Sequence, residues 1–226
     1  MNSLPSSTAW SSAASHPVLR AGEVHVWRVH LDATPDSLAD ALSAAERVRA
    51  ARFHFQRDAA RFRAGRGALR AIIAAYLGCE ARNLEFAAGP HGKPQLVAPA
   101  TTLSFNVSHS DDLMLVALAY GRSLGVDLEC MRANVPFETL AEHYFAPEDA
   151  WRVRTLPLAE RTRTFYEVWT GTEARLKASG EGLTRGTKIV APDRWSLHTL
   201  TPAEGFAAAL AVEGGDFQLA CWSWNK

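Results

Sequence analysis

Two long stretches of helical period, one in each half of the chain, limit what it can fold into. Residues 58–77 place Phe62, Leu69, Ile72, Ile73 and Tyr76 on one apolar stripe, and Gly78 ends the segment. Residues 159–179 form the second stretch, stopped by Gly180 and Gly182. Apolar stripes of this kind need a partner surface, and strand-like segments supply it. Residues 103–107, 113–119 and 123–129 read as three strands in succession, with turn signals at Ser110-Asp111-Asp112 and Gly121. Residues 24–31 alternate apolar and polar positions, and further strands are expected at 188–190, 195–199, 206–212 and 217–224. Shorter helices are expected at 36–53, at 137–144 and from Pro147 onward, and residues 89–94 read as a turn. Each half therefore holds one long helix and several strands, an α+β organisation. Self-similarity between the halves is too weak to prove duplication.

The chain's 226 residues suffice for one large domain or two small lobes. Lys+Arg and Asp+Glu both total 24, a balance that argues against a general nucleic-acid binder. No apolar run reaches membrane-spanning length. Cys79, Cys130 and Cys221 are odd in number and widely spaced, which gives no disulfide or metal framework and points to a reducing, cytoplasmic setting. The first 17 residues lack a basic start and a sustained apolar stretch, and read as a loose tail rather than a secretion signal.

Three acids carry the chemistry. If residues 123–129 form a strand, its period of two sends Asp127 and Glu129 to one face. If residues 159–179 form a helix, Trp169, Glu173 and Lys177 share a face at spacings of four. Clustered carboxylates repel, and burying them is costly without a partner. A hard cation such as Mg²⁺ resolves that cost and typically recruits a phosphate as well. Taken singly, each feature has a plain explanation. An Asp-x-Glu pair is usually a solvated strand face, and Glu173 with Lys177 can be a surface pair worth about 0.3–0.5 kcal/mol. Trp169 can be core, His109 a hydrogen-bonded strand-end histidine, Arg61 a wet helix residue and Lys93 an ordinary turn residue.

Their order along the chain is more specific than any one of them. Arg61 precedes Gly65-Arg66-Gly67-Ala68-Leu69-Arg70. Then come Gly92-Lys93-Pro94, Asn106-Val107-Ser108-His109-Ser110 and Gly125-Val126-Asp127-Leu128-Glu129. Last come Trp169-Thr170, Glu173-Ala174 and Lys177-Ala178, with Gly180 and Gly182. This order resembles the 4′-phosphopantetheinyl transferases, specifically the longer surfactin-synthetase type, over residues 47–183.

The resemblance implies two similar α/β lobes in one monomeric chain, a pseudo-dimer in which each long helix packs on a small, mostly antiparallel sheet. The divisions expected are a flexible tail at 1–19, a nucleotide-side lobe at 20–121 and a lobe bearing the catalytic acids at 122–226. It also implies transfer of the phosphopantetheine arm of coenzyme A to a serine of an acyl or peptidyl carrier protein, releasing adenosine 3′,5′-bisphosphate. Asp127, Glu129 and Glu173 match the family's metal-binding acids, for Mg²⁺ with Mn²⁺ as the other choice. Lys177 matches the lysine that supports the phosphates, and Glu173 is the candidate base. Arg61 and His109 match groups near the 3′-phosphate, Ser108 belongs with them to the coenzyme A site, Lys93 matches a residue near the nucleotide, and Arg49 aligns loosely with the phosphate site. Residues 134–164 are the candidate carrier contact.

Two departures stand out. Thr172 takes the place of a lysine that many members carry before the catalytic glutamate. Glu46 or Arg47 stands where some relatives have a second phosphate-binding lysine. The first leaves open a catalytically impaired coenzyme A-binding module, and a metal-dependent pyrophosphate hydrolase is a further alternative.

Overall fold

A computed structural model describes residues 9–12, 18–89, 93–181 and 192–224. In chain order the strands and α-helices are β1 (Trp10–Ser12), β2 (Glu23–His30), α1 (Ala44–Ala50), α2 (Gln56–Leu77), β3 (Glu85–Ala88), β4 (Pro94–Ala98), β5 (Leu103–Ser110), β6 (Leu113–Tyr120) and β7 (Leu124–Cys130). They continue with α3 (Phe137–Tyr144), α4 (Pro147–Thr155), α5 (Leu158–Ser179), β8 (Trp195–Leu200), β9 (Phe206–Glu213) and β10 (Gln218–Ser223).

Strand β6 explains the layering. It is apolar at every position and buried along nearly its whole length, so it needs cover on both faces. Met114, Val116 and Leu118 meet Ala68, Leu69, Ile72 and Ile73 of α2. Leu113, Leu115, Ala117 and Ala119 point the other way and pack on Leu124, Val126 and Leu128 of β7 and on Ala208, Leu210 and Val212 of β9. The result is four layers: α2, a sheet in the order β1-β10-β2-β6-β5, a sheet in the order β7-β9-β8, and α5. A separate hairpin, β3-β4, stands beside them. The α+β class is as expected, and both long helices form where the stripes place them.

Several expectations change. The single helix expected at 36–53 is two elements. Residues 36–41 form a 3-10 turn, and α1 starts afresh at Ser43, whose side chain accepts from the Glu46 amide while Glu46 accepts from the Ser43 amide. Strand β1 falls inside the expected tail and pairs in parallel with β10. Strand β10 crosses the expected boundary at residue 122 and pairs in parallel with β2 of the first sheet. The β3-β4 hairpin was not anticipated. The strand expected at 188–190, and Gly92 and Gly182, lie outside the described residues.

Arg70 locks the first half together. It is 2% exposed and donates to Glu46 Oε2 at 2.8 Å and to the carbonyls of Ala81 and Leu84 at 3.1 and 2.8 Å. Arg70→Ala leaves a carboxylate and two carbonyls without their donor, and removing one partner of such a pair costs about 3 kcal/mol. Chemical denaturation should show a lower midpoint with an unchanged slope.

Candidate active site

The period of β7 decides what faces α5. Leu124, Val126 and Leu128 enter the layer between the sheets, so Gly125, Asp127 and Glu129 turn to the helix. The helix lies unusually close there. A Cβ on Gly125 would stand 2.2 Å from the Ala174 carbonyl oxygen and 2.4 Å from the Ala178 nitrogen. Ala209 and Ala211 of β9 keep the neighbouring strand equally low under Ala174 and Ala178.

That approach brings Lys177 onto the strand. Its Nζ lies 2.6 Å from Asp127 Oδ1 and donates to Ser108 Oγ at 3.0 Å, and Ser108 donates to the same Oδ1 at 3.0 Å. Ser108 belongs to β5, whose edge meets β7 through side chains. Asn106 Oδ1 accepts the Val126 amide, and Ser110 Oγ accepts the Cys130 amide while donating to Glu129 Oε2 at 3.0 Å. Thr172 is half-buried on α5, and the Ser108–Asp127–Lys177 contacts form without it.

The acids feel one another. Asp127 is 4% exposed, and its Oδ2 is buried with no hydrogen-bond partner. Burial, then the Asp127 charge, holds the Glu129 carboxyl above the usual range despite the Ser110 bond. Burial and Asp127 raise Glu173 as well, with Lys177 opposing them. Among the described residues, no three of Asp, Glu, His and Cys stand together as a ready metal-binding group. The donor chemistry nevertheless fits a hard cation: an orphaned buried carboxylate oxygen beside two carboxyls that resist ionisation.

Two clefts flank this cluster. One of about 720 Å³ is lined by Lys93, Glu173 and Lys177 with Leu96, Phe105 and Leu176. Lys93 donates to the Lys177 carbonyl at 2.8 Å, and burial followed by the Lys177 ammonium lowers its pKa. The other, of about 490 Å³, is lined by Arg49, Arg66, Arg70 and Arg82. The guanidinium groups of Arg49 and Arg66 lie over the Phe62 ring at 5.3 and 5.8 Å. His109, next to Ser108 on β5, takes the opposite face of the strand. Its ring is partly open to solvent, yet desolvation by its neighbours lowers its pKa, and Lys177, Arg66 and Arg49 lower it further.

Asp127, Ser108 and Lys177 are thus in direct contact, with Glu129 and Glu173 in their field and Lys93 tied to the same helix. Arg61 is elsewhere. Its guanidinium is held by Asp32, two bonds at 2.7 Å, and by Asp111 at 2.6 Å, which pin two turns to α2. Arg66 is the residue that sequence reasoning passed over. Five positions after Arg61, it sits about 140° further round the helix. Glu46 is likewise occupied, in the α1 cap and with Arg70. Trp169 stacks on Phe165 at 5.7 Å, in keeping with a core role.

Residues 28–120 match a family model described as 4′-phosphopantetheinyl transferase, N-terminal, and residues 123–221 match the 4′-phosphopantetheinyl transferase superfamily. The chain is 37% identical to 4′-phosphopantetheinyl transferase HetI of Nostoc sp., over 95% of this chain and 98% of HetI. The chain belongs to the 4′-phosphopantetheinyl transferase family. The transferase is also 28% identical to a 4′-phosphopantetheinyl transferase of Bacillus subtilis, over 66% of this chain and 64% of that one. It is 31% identical to the L-aminoadipate-semialdehyde dehydrogenase-phosphopantetheinyl transferase of Xenopus laevis, over 61% and 49%.

In this transferase the glycine of the Gly-Val-Asp-Leu-Glu run has a steric cause. Gly125→Ala must push α5 away from β7, because the atoms in its path are backbone. Lys177 then leaves Asp127. Activity should fall by about a hundredfold, since displacements near 1 Å carry penalties of that size. Steady-state kinetics beside a thermal melt checks that the loss of rate exceeds the loss of folded protein.

Proposed function

We propose that this transferase, as a monomer of the surfactin-synthetase type, moves the 4′-phosphopantetheine arm of coenzyme A onto a carrier-protein serine. The observation that carries the reading is the Ser108–Asp127–Lys177 contact set, with Glu173 one helical turn before Lys177. Phosphoryl transfer asks the protein mainly for positioning and charge neutralisation. Lys177 supplies a fixed ammonium for the pyrophosphate oxygens. Asp127, Glu129 and Glu173 would hold Mg²⁺, or Mn²⁺, which when bound polarises the diphosphate. Glu173, raised by burial, is suited to accept the serine proton. The serine Oγ forms a bond to the phosphorus bearing the pantetheine arm. The bond from that phosphorus to the bridging oxygen breaks, and adenosine 3′,5′-bisphosphate leaves. Arg49, Arg66 and His109 would receive the 3′-phosphate, the role the resemblance gives to Arg61 and His109. The face proposed for the carrier is residues 134–164, where Trp151 and Leu158 are exposed.

Mass spectrometry of an apo carrier incubated with enzyme, coenzyme A and Mg²⁺ tests this. The carrier should gain one phosphopantetheine, chelation should stop the gain, and Asp127→Ala should abolish it with the fold intact. Full activity in that variant removes Asp127 from the site. Release of adenosine bisphosphate without any carrier would indicate a hydrolase instead.

His109 adds a pH signature. Its pKa is lowered by desolvation and three cations, which favours the neutral ring in the free enzyme. A phosphate dianion opposes that depression and favours the charged ring. Coenzyme A binding should therefore take up protons and tighten as the pH falls from 8 to about 6. Calorimetry in two buffers of different ionisation heat measures the uptake, and His109→Gln should reduce it.

A further inference from the structure

The β3-β4 hairpin is the wall between the two clefts. Glu85, Phe86, Ala87 and Ala88 line the arginine side, Lys93, Gln95 and Leu96 line the catalytic side, and Pro94 lines both. A lone two-stranded sheet is marginally stable, so its anchors matter. On the arginine side, Phe86 packs edge-on against Phe105 at 5.8 Å and under the Arg70 guanidinium at 5.1 Å. On the catalytic side the anchor is Lys93, whose Nζ donates to the Lys177 carbonyl at 2.8 Å.

That carbonyl belongs to the last turn of α5, which ends at Ser179 before Gly180 adopts φ +83°. The last four carbonyls of a helix have no partner within it. A cation at this end also answers the helix dipole. Lys93 thus reaches from one half of the molecule to satisfy the end of the helix that carries Glu173 and Lys177. Its ammonium is committed to a backbone oxygen, although burial and the neighbouring Lys177 charge both work against it.

We propose that Lys93 is a positioning residue, which caps α5 from across the cleft and holds Lys177 and Glu173 in register with Asp127. The turn it caps sets the 2.6 Å contact of Lys177 with Asp127 and the 3.0 Å contact with Ser108. The same residue joins that turn to the wall of the arginine cleft. Its loss therefore bears on the chemical step more than on coenzyme A binding. The inference rests on the transferase activity proposed above.

The test compares wild type, Lys93→Met and Lys93→Arg with an apo carrier at saturating coenzyme A and Mg²⁺, and measures coenzyme A binding by calorimetry. Lys93→Met should lose at least about tenfold in kcat while its coenzyme A Kd stays within about twofold, and Lys93→Arg should restore most of the rate. A Kd that rises with kcat unchanged would make Lys93 a direct ligand and overturn the proposal, as would an unchanged kcat and Kd. If Lys93→Met does not fold, Lys93→Gln is read by the same split. A wild-type enzyme that leaves the carrier unmodified would remove the transferase reading itself, which is a different failure.

Discussion

The approach of α5 to β7 at Gly125 is the constraint on which the rest of the site depends. A helix normally rests on a sheet through side chains, which hold its backbone away from the strand. Here the strand offers Gly125 and its neighbour offers Ala209 and Ala211, so helix backbone meets strand directly. Only at that separation does a lysine on the helix close a hydrogen-bonded triangle with an aspartate and a serine on two different strands. The layer between the sheets supports the approach from below. Leu124, Val126 and Leu128 are almost fully buried there, which fixes the rotation of β7 and hence the direction of Asp127.

Strand β5 joins the two clefts by the same period-two logic. Ser108 turns toward Asp127 and Lys177, and His109 turns toward Arg66 and Arg49. Adjacent residues on one strand thus face two different charge clusters. The β5-β7 seam has no ordinary ladder; Asn106 and Ser110 accept the β7 amides with their side chains instead. Those polar side chains satisfy backbone groups that would otherwise be buried without partners, and they leave room for the acids between the edges.

Much of this was legible in the sequence where a periodic pattern reported on one neighbouring layer. The two long helices, β5, β6 and β7, and the placement of Asp127 and Glu129 on one face of β7 follow from spacing alone. Local chemistry overrode periodicity at Ser43, where a capping box with Glu46 restarts a helix inside a continuous pattern. Long-range pairing escaped for a different reason. Nothing local to residues 218–223 says that they lie parallel to β2, nearly two hundred positions earlier in the chain. At Arg61 the motif gave order along the chain but not azimuth around the helix. Asp32 and Asp111, distant in sequence, claim that guanidinium, while Arg66 takes the cleft.

The zero net charge of the chain hides two opposed local fields, and their arrangement carries more information than their sum. In one cleft Arg49 and Arg66 lie over the Phe62 ring, and their charges add to desolvation and to Lys177 in lowering the His109 pKa. Beside the other, three carboxyls share one nearby ammonium, and one oxygen of the most buried acid is left alone. Burying a carboxylate is expensive unless its remaining lone pairs also find partners. Lys177 answers one oxygen of Asp127 only. The remaining imbalance is what a divalent cation would relieve. The two fields are linked through β5, where Lys177 bonds Ser108 and its charge reaches the next residue, His109.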